Sequence, residues 1–232
     1  MIDVRPFAGL GGADHGWLQA RHHFSFADYY DPARMNWGAL RVWNDDTIAA
    51  GAGFPPHPHA DMEIITYVRR GAITHQDNLG NRGRTEAGDV QVMSAGAGIV
   101  HSEYNREDAP AQIFQIWIEP RRRGGAPRWG ARPFPKAGRS GRLVTLASGF
   151  AEDAEALEIR ADARVLGATL KAGESIDHPL GGERRAYLVP ASGSVTINGV
   201  RVGARDGAAI SAVETLHIAA TEDSEIILVD VI

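Results

Sequence analysis

The sequence predicts an all-β protein built from two β-barrel domains, and three observations predict it. Helical periodicity is nearly absent along the 232 residues. The 27 Gly and 12 Pro punctuate the chain at short intervals, and the runs between them are short and β-rich, which is the pattern of a sandwich or barrel. A segment rich in Gly, Pro and Arg near the middle separates two halves that resemble each other.

The predicted strands, in order, are Ala39–Trp43, Met62–Val68, Val90–Met93, Ile113–Ile118, Arg142–Leu146, Val165–Leu170, Ala186–Val189, Ser194–Ile197, Ala208–Ile210, Thr215–Ala219 and Glu225–Val231. Ala151–Glu158 is the one helical candidate, a short acidic turn or two. Asn78-Leu-Gly-Asn-Arg-Gly and Asn198-Gly199 read as hairpin turns, because Asn and Gly tolerate positive φ. The stretch RRRGGAPRWGARPFPKAGRSG, residues 121–141, exceeds the roughly 12–15 residues that a structureless loop reaches in a compact domain. It is therefore read as a linker between an N-terminal domain, 1–120, and a C-terminal domain, 142–232. Both halves show strand, Gly turn, strand, Gly-initiated strand: Tyr67-Val-Arg-Arg-Gly-Ala-Ile with Gly88-Asp-Val-Gln-Val-Met, and Tyr187-Leu-Val-Pro-Ala-Ser-Gly-Ser-Val with Gly207-Ala-Ala-Ile. That recurrence points to a duplication.

Composition removes several function classes. With no Cys there is no disulfide, thiolate nucleophile, iron–sulfur cluster or Cys-ligated zinc, which agrees with a reducing cytoplasm. A net charge of −5 lacks the basic excess of a direct nucleic-acid binder. The first residues, MIDVRPFAGLGGADHGW, hold no apolar core of signal-peptide length, and no run of about 20 apolar residues is present to cross a membrane.

The chemistry concentrates in two stretches, Phe54-Pro-Pro-His57-Pro-His59-Ala-Asp-Met-Glu63 and Ala95-Gly-Ala-Gly-Ile-Val-His101-Ser-Glu103. Residues i and i+2 of a strand share a face, so His57 and His59 form one same-face pair and His101 and Glu103 another. Two such pairs on neighbouring strands can converge on one divalent ion. Imidazoles with a carboxylate suit Fe, Ni, Co, Mn, Cu or Zn, and Fe(II) is ranked first. Parity alone leaves the carboxylate open, because Glu63 has the same parity as His57 and His59.

These motifs resemble a cupin, and in detail the pirin family with its bacterial quercetin 2,3-dioxygenase-like members. The matching pieces are Gly16-Trp17-Leu18, the run from His22 to Pro32, His57 to Tyr67, His75-Gln-Asp-Asn-Leu-Gly80, and Met93 to Glu103. The resemblance covers most of residues 14–120; the remainder matches only as a second, degenerate cupin, making the chain a bicupin. It implies His57, His59, His101 and Glu103 as metal ligands and leaves Glu63 behind them. It also implies an activity: ring opening of quercetin-like flavonols by O₂ with release of carbon monoxide. The partners are then a small aromatic substrate and O₂, and Glu103 is both ligand and base. The rival reading from the same family is a metal-dependent, redox-sensitive regulator that binds transcription-related proteins.

Other polar residues carry weaker expectations. His75 faces the cavity or stabilises its hairpin. Gln115 backs a ligand histidine or faces an edge. His22 and His23 are read as structural, Arg121–Arg123 as a solvated loop, and His178 and His217, which lack i+2 partners, as vestigial or structural.

Overall fold

The computed structural model describes residues 1–232, and its regular structure is strand apart from three short 3-10 turns. The strands are β1 (Ile2–Arg5), β2 (Gly11–Asp14), β3 (Leu18–His22), β4 (Leu40–Ile48), β5 (Gly53–His59), β6 (Glu63–Arg70), β7 (Ala72–Asp77), β8 (Arg82–Glu86), β9 (Val90–Ser94), β10 (Ile99–Tyr104), β11 (Ala111–Ile118) and β12 (Arg128–Arg132). They continue as β13 (Val144–Ser148), β14 (Leu157–Glu158), β15 (Ala163–Leu170), β16 (Ser175–Pro179), β17 (Arg185–Ser192), β18 (Val195–Ile197), β19 (Val200–Val202), β20 (Gly207–Ser211), β21 (Thr215–Ala220) and β22 (Ser224–Val231). No helix is long and apolar enough to cross a membrane.

The sheet orders make the duplication explicit. The first half has a seven-stranded sheet, β12-β9-β6-β11-β4-β3-β2, facing a four-stranded sheet, β5-β10-β7-β8. The second half has β1-β20-β17-β22-β15-β13-β14 facing β16-β21-β18-β19. The order is that of one two-walled barrel written twice, an all-β bicupin; the copies differ at the last strand, where β14 runs parallel to β13 while β2 runs antiparallel to β3. Tyr67 and Tyr187, which marked the repeat in the sequence, sit on the equivalent third strands β6 and β17. Both predicted hairpins form: β7 turns into β8 through Asn78–Asn81, and β18 into β19 through Asn198 and Gly199, at φ 48° and 84°. Both residues then have the positive φ of a type I′ turn.

Alternation along the strands gives each barrel two different faces. In the second barrel the lumen is filled by a cluster of 16 buried apolar residues, among them Leu188, Leu216, Ile218 and Leu228. The first barrel is apolar only at its ends, around Ile48 and Ile113 and around Ile64 and Met93. Its middle is polar and holds the site. The outer faces of the two seven-stranded sheets pack on each other. Trp43, Tyr67 and Phe114 from one sheet and Tyr187, Ile227 and Val229 from the other belong to a single buried cluster.

Two expectations are corrected. The span 121–141 is more than a linker: β12 pairs with β9 and closes the edge of the first sheet, and Phe134 and Arg139 are buried. Arg139 Nη2 donates to Tyr67 Oη (2.6 Å) and to Glu225 Oε1 (3.0 Å), so the span is riveted to both barrels. In the reverse direction β1 leaves the first domain and pairs with β20 of the second. The helix expected at Ala151–Glu158 is absent; turns lead into β14 there. The segment has no apolar stripe to bury, and Asp153 is engaged instead by Ser148 Oγ and Arg164 Nε, both at 2.6 Å.

This exchange of strands makes the halves interdependent. A chain ending at Pro120 would lose β12, leave β1 without β20, and expose the sheet face around Trp43, Tyr67 and Phe114. Each large apolar side chain so exposed forfeits about 1.5–3 kcal/mol of burial. Residues 1–120 expressed alone are expected to aggregate on size-exclusion chromatography. A soluble, monomeric, metal-loaded fragment would contradict the shared core.

Candidate metal centre

The first histidine pair lies on β5, whose sequence Gly-Phe-Pro-Pro-His-Pro-His contains three prolines. Such a strand is tolerated because β5 is an edge, where missing N–H groups need not serve a second neighbour. It pairs with β10, placing His57 opposite His101 and His59 opposite Ile99. One step further the register slips, so that Glu103 lies opposite Phe54. This bulge accommodates an extra residue on β5, and bulges of this kind re-aim side chains beside functional sites.

The three histidines converge. One nitrogen from each of His57, His59 and His101 lies within 4.8 Å of the other two. His57 Nδ1 donates to the Pro55 carbonyl at 2.7 Å, and its Nε2 faces the other histidines, 3.1 Å from His101 Nε2. Burial, then the neighbouring imidazoles His101 and His57, pushes His59 down to about 4. Burial, then His57 and His75, pushes His101 down to about 3. Imidazole nitrogens gathered this closely are what a divalent transition metal requires, and the donor set fits one.

A relay backs His101. His101 Nδ1 lies 3.4 Å from His75 Nδ1, and His75 Nε2 donates to Asp77 Oδ2 at 2.9 Å. Asp77 also accepts from the backbone N–H groups of Leu79 and Asn81 and from the Asn81 amide. Burial opposes ionisation of Asp77, but these bonds together hold its carboxyl below the ordinary range. His75 is stacked on Trp129 of β12, with centroids 4.8 Å apart and planes at 9°. A fixed His75 fixes the ring of His101 in turn, as partners behind metal-ligating histidines do.

Glu103, expected as a fourth ligand, is buried nearby, but its carboxylate is not among the donor atoms that lie within 4.8 Å of one another. Its Oε1 accepts from Gln91 Nε2 at 2.5 Å and its Oε2 from Gln115 Nε2 at 2.7 Å. Thr66 Oγ1 lies 2.8 Å from Gln115 Oε1 and 3.1 Å from Glu103 Oε1; its one proton serves one of them at a time. Gln115 thus backs the carboxylate rather than a histidine. Glu63, in contrast, points out of the barrel and accepts from Ser94 Oγ at 2.6 Å, while its neighbour Ile64 lines the cavity. The parity argument that kept Glu63 open fails at the corner between β5 and β6. Asp61 adopts φ 51° there and resets the alternation.

A cavity of about 210 Å³ opens beside His57 and His59 and runs in between the two sheets. Phe54, Phe26, Ile64 and Trp117 supply apolar surface, and Trp117 meets His59 edge-on at 5.0 Å. His22, read as structural, in fact lines the cavity and bonds Asn44 Oδ1 at 2.8 Å, whereas His23 faces the inter-barrel core. The inner wall also carries Asp46, which the sequence reading missed. It is 2% exposed, and its Oδ1 has no hydrogen-bond partner. Leaving such a group unpaired costs about 1–3 kcal/mol. Burial first, then the charges of Asp45 and Glu103, holds the Asp46 carboxyl well above the ordinary carboxylate range. The available signals were Asn44-Asp45-Asp46 inside a strand otherwise apolar enough to be buried, and Asp77 at i+2 from His75.

The second barrel offers no equivalent. Leu216 and Ile218 fill the lumen positions of β21. His217 is turned outward, 2.7 Å from Asp177 Oδ1, with both side chains exposed, and His178 lies 3.9 Å from Asp230. Elemental analysis after metal loading is therefore expected to give one equivalent per chain; two would locate a second site in the other barrel.

The comparisons with known proteins agree with this geometry. The profile of the family described as Pirin matches residues 4–118, and that of the Quercetinase C-terminal cupin domain matches residues 145–231. A "Pirin-like protein" of Caulobacter vibrioides is 70% identical over 230 residues, covering 99% of both chains. The "Quercetin 2,3-dioxygenase" of Escherichia coli strain K12 is 44% identical over 231 residues, covering 99% of this chain and 98% of the relative. The crystal structure of the bacterial pirin YhhW from Escherichia coli in complex with nickel(II) superposes with a TM-score of 0.94 at 43% identity, covering 100% and 99% of the two chains. With two matched barrels, a three-histidine centre in the first, and relatives of this similarity along its whole length, the chain belongs to the pirin family of bicupins.

Proposed function

We propose that the chain is a metal-dependent dioxygenase that opens the heterocyclic ring of quercetin-like flavonols with O₂ and releases carbon monoxide. The observation that carries this is the convergence of His57, His59 and His101 at a cavity that has both aromatic walls and a buried carboxylate. The name of the 44% identical relative points the same way. In this reading His57, His59, His101 and Glu103 hold the ion, with Fe(II) ranked first and nickel supported by the complex of the similar bacterial pirin. The bound metal would supply Lewis acidity and open positions for an oxygen-bearing ligand and O₂.

The chain's own residues supply the rest. Glu103, fixed by Gln91 and Gln115, accepts the proton of the flavonol hydroxyl at Oε1 or Oε2. Phe54, Ile64 and Trp117 hold the flat rings and exclude water. His75 and Asp77 keep the His101 ring in place. The test is aerobic decay of quercetin absorbance with metal-analysed protein, scored together with carbon monoxide release. Decay with one carbon monoxide per flavonol supports the reading. Fully metal-loaded protein that leaves quercetin intact overturns it and favours the regulatory role instead.

A further inference from the structure

Asp46 sits on β4 in the seven-stranded sheet, across the cavity from the histidines, which sit on β5 and β10 of the four-stranded sheet. Its cross-strand neighbours are Ala20 on β3 and Ile113 on β11. Neither offers a hydrogen bond, and the small Ala20 leaves space beside the carboxyl. Arg69 and Arg205, which could neutralise it, are both spent on Asp45, whose side chain points the other way. Of the other polar groups of this wall, Asn44 is committed to His22 and Gln115 to Glu103, while Trp117 Nε1 is a buried donor without a partner. Asp46 is thus the one polar side chain of the inner wall whose buried oxygen nothing in the protein satisfies. A group of this kind is retained where a ligand completes it.

We infer that Asp46 is the recognition group for a hydroxyl on the inner end of the ligand, so that the site selects planar aromatics bearing one oxygen for the metal wall and a second for β4. This rests on the flavonol reading for the ligand's scaffold, and it adds that ring hydroxyls beyond the one at the metal are read by the protein. Either protonation state of the carboxyl can pair with a hydroxyl, as donor or as acceptor. An analogue lacking that hydroxyl leaves Asp46 unpaired and is discriminated against.

The experiment compares quercetin with 3-hydroxyflavone, which lacks the additional ring hydroxyls, by calorimetric binding to metal-loaded wild type, Asp46→Leu and Asp46→Asn. Wild type should prefer quercetin. Asp46→Leu should weaken quercetin by about tenfold or more while 3-hydroxyflavone is unchanged. Asp46→Asn, which keeps a donor and an acceptor, should retain most of the preference, and metal content should be the same in all three. A second readout needs no flavonol: removing an unpaired buried polar group should raise the Tm of ligand-free Asp46→Leu by about 2–4 °C.

Equal weakening of both compounds, no weakening of either, or a lowered Tm in Asp46→Leu would overturn the inference. If the preference behaves as stated but no compound is turned over, the dioxygenase reading fails and the role of Asp46 stands. If quercetin is turned over but the preference survives Asp46→Leu, the reverse holds. Binding of neither compound to wild type sinks both.

Discussion

His101→Ala is expected to empty the metal centre without unfolding the protein. His101 meets the other two histidines of the cluster and is the one to which the His75–Asp77 relay connects. Losing a mere backing partner typically costs 10–100-fold in metal affinity, and losing the ligand itself should cost at least about that. Flavonol turnover should fall to background. The fold should persist, because β10 keeps its backbone pairing with β5 and β7, and because the main core lies on the far side of the seven-stranded sheet. The expected stability loss is about 0.5–3 kcal/mol, the ordinary range for one buried substitution. Metal analysis and circular dichroism on the same preparation decide it. Insoluble or unfolded protein would show that the ion is a folding element.

Glu103→Gln separates charge from shape. Glu103 accepts from amide groups at both oxygens, so replacing one oxygen by NH₂ sets a donor against Gln91 or Gln115. One of those amides must then flip, at a cost of about 1–3 kcal/mol. The three histidines are untouched, so much of the metal should remain. Turnover should fall by roughly 10²–10⁴-fold, the weight of a lost general base. Glu63→Gln is the control. Its partner Ser94 lies outside the barrel lumen, so metal content and turnover should stay near wild type. If Glu63→Gln lost the metal while Glu103→Gln kept both metal and activity, the carboxylate assignment would be reversed.

Much of the architecture was legible because its cause is local. Asn198-Gly199 makes a tight hairpin wherever two strands flank it, since both residues tolerate the positive φ the turn demands. The His57/His59 and His101/Glu103 pairs were legible for the same kind of reason: alternation puts i and i+2 on one face. Parity misled where the chain turned. Asp61 broke the alternation between β5 and β6, so Glu63 left the lumen although its number said otherwise. Composition misled at 121–141, where a Gly- and Pro-rich span still supplies an edge strand, because β9 had backbone groups left to pair.

The sequence by itself determined the all-β class, the two halves, and the three histidines that gather in the first barrel, because strand periodicity, turn chemistry and side-chain donor type are properties of short segments. Only the tertiary structure decided which strands of the two halves are exchanged, that Gln91, Gln115 and Thr66 surround Glu103, that Trp129 stacks on His75, and that Asp46 faces the cavity while Asp45 takes the arginines. Each of those is a meeting of residues far apart in the chain. It is set by sheet order and register, which depend on how two barrels bury their apolar faces together and leave no mark on any single stretch of sequence.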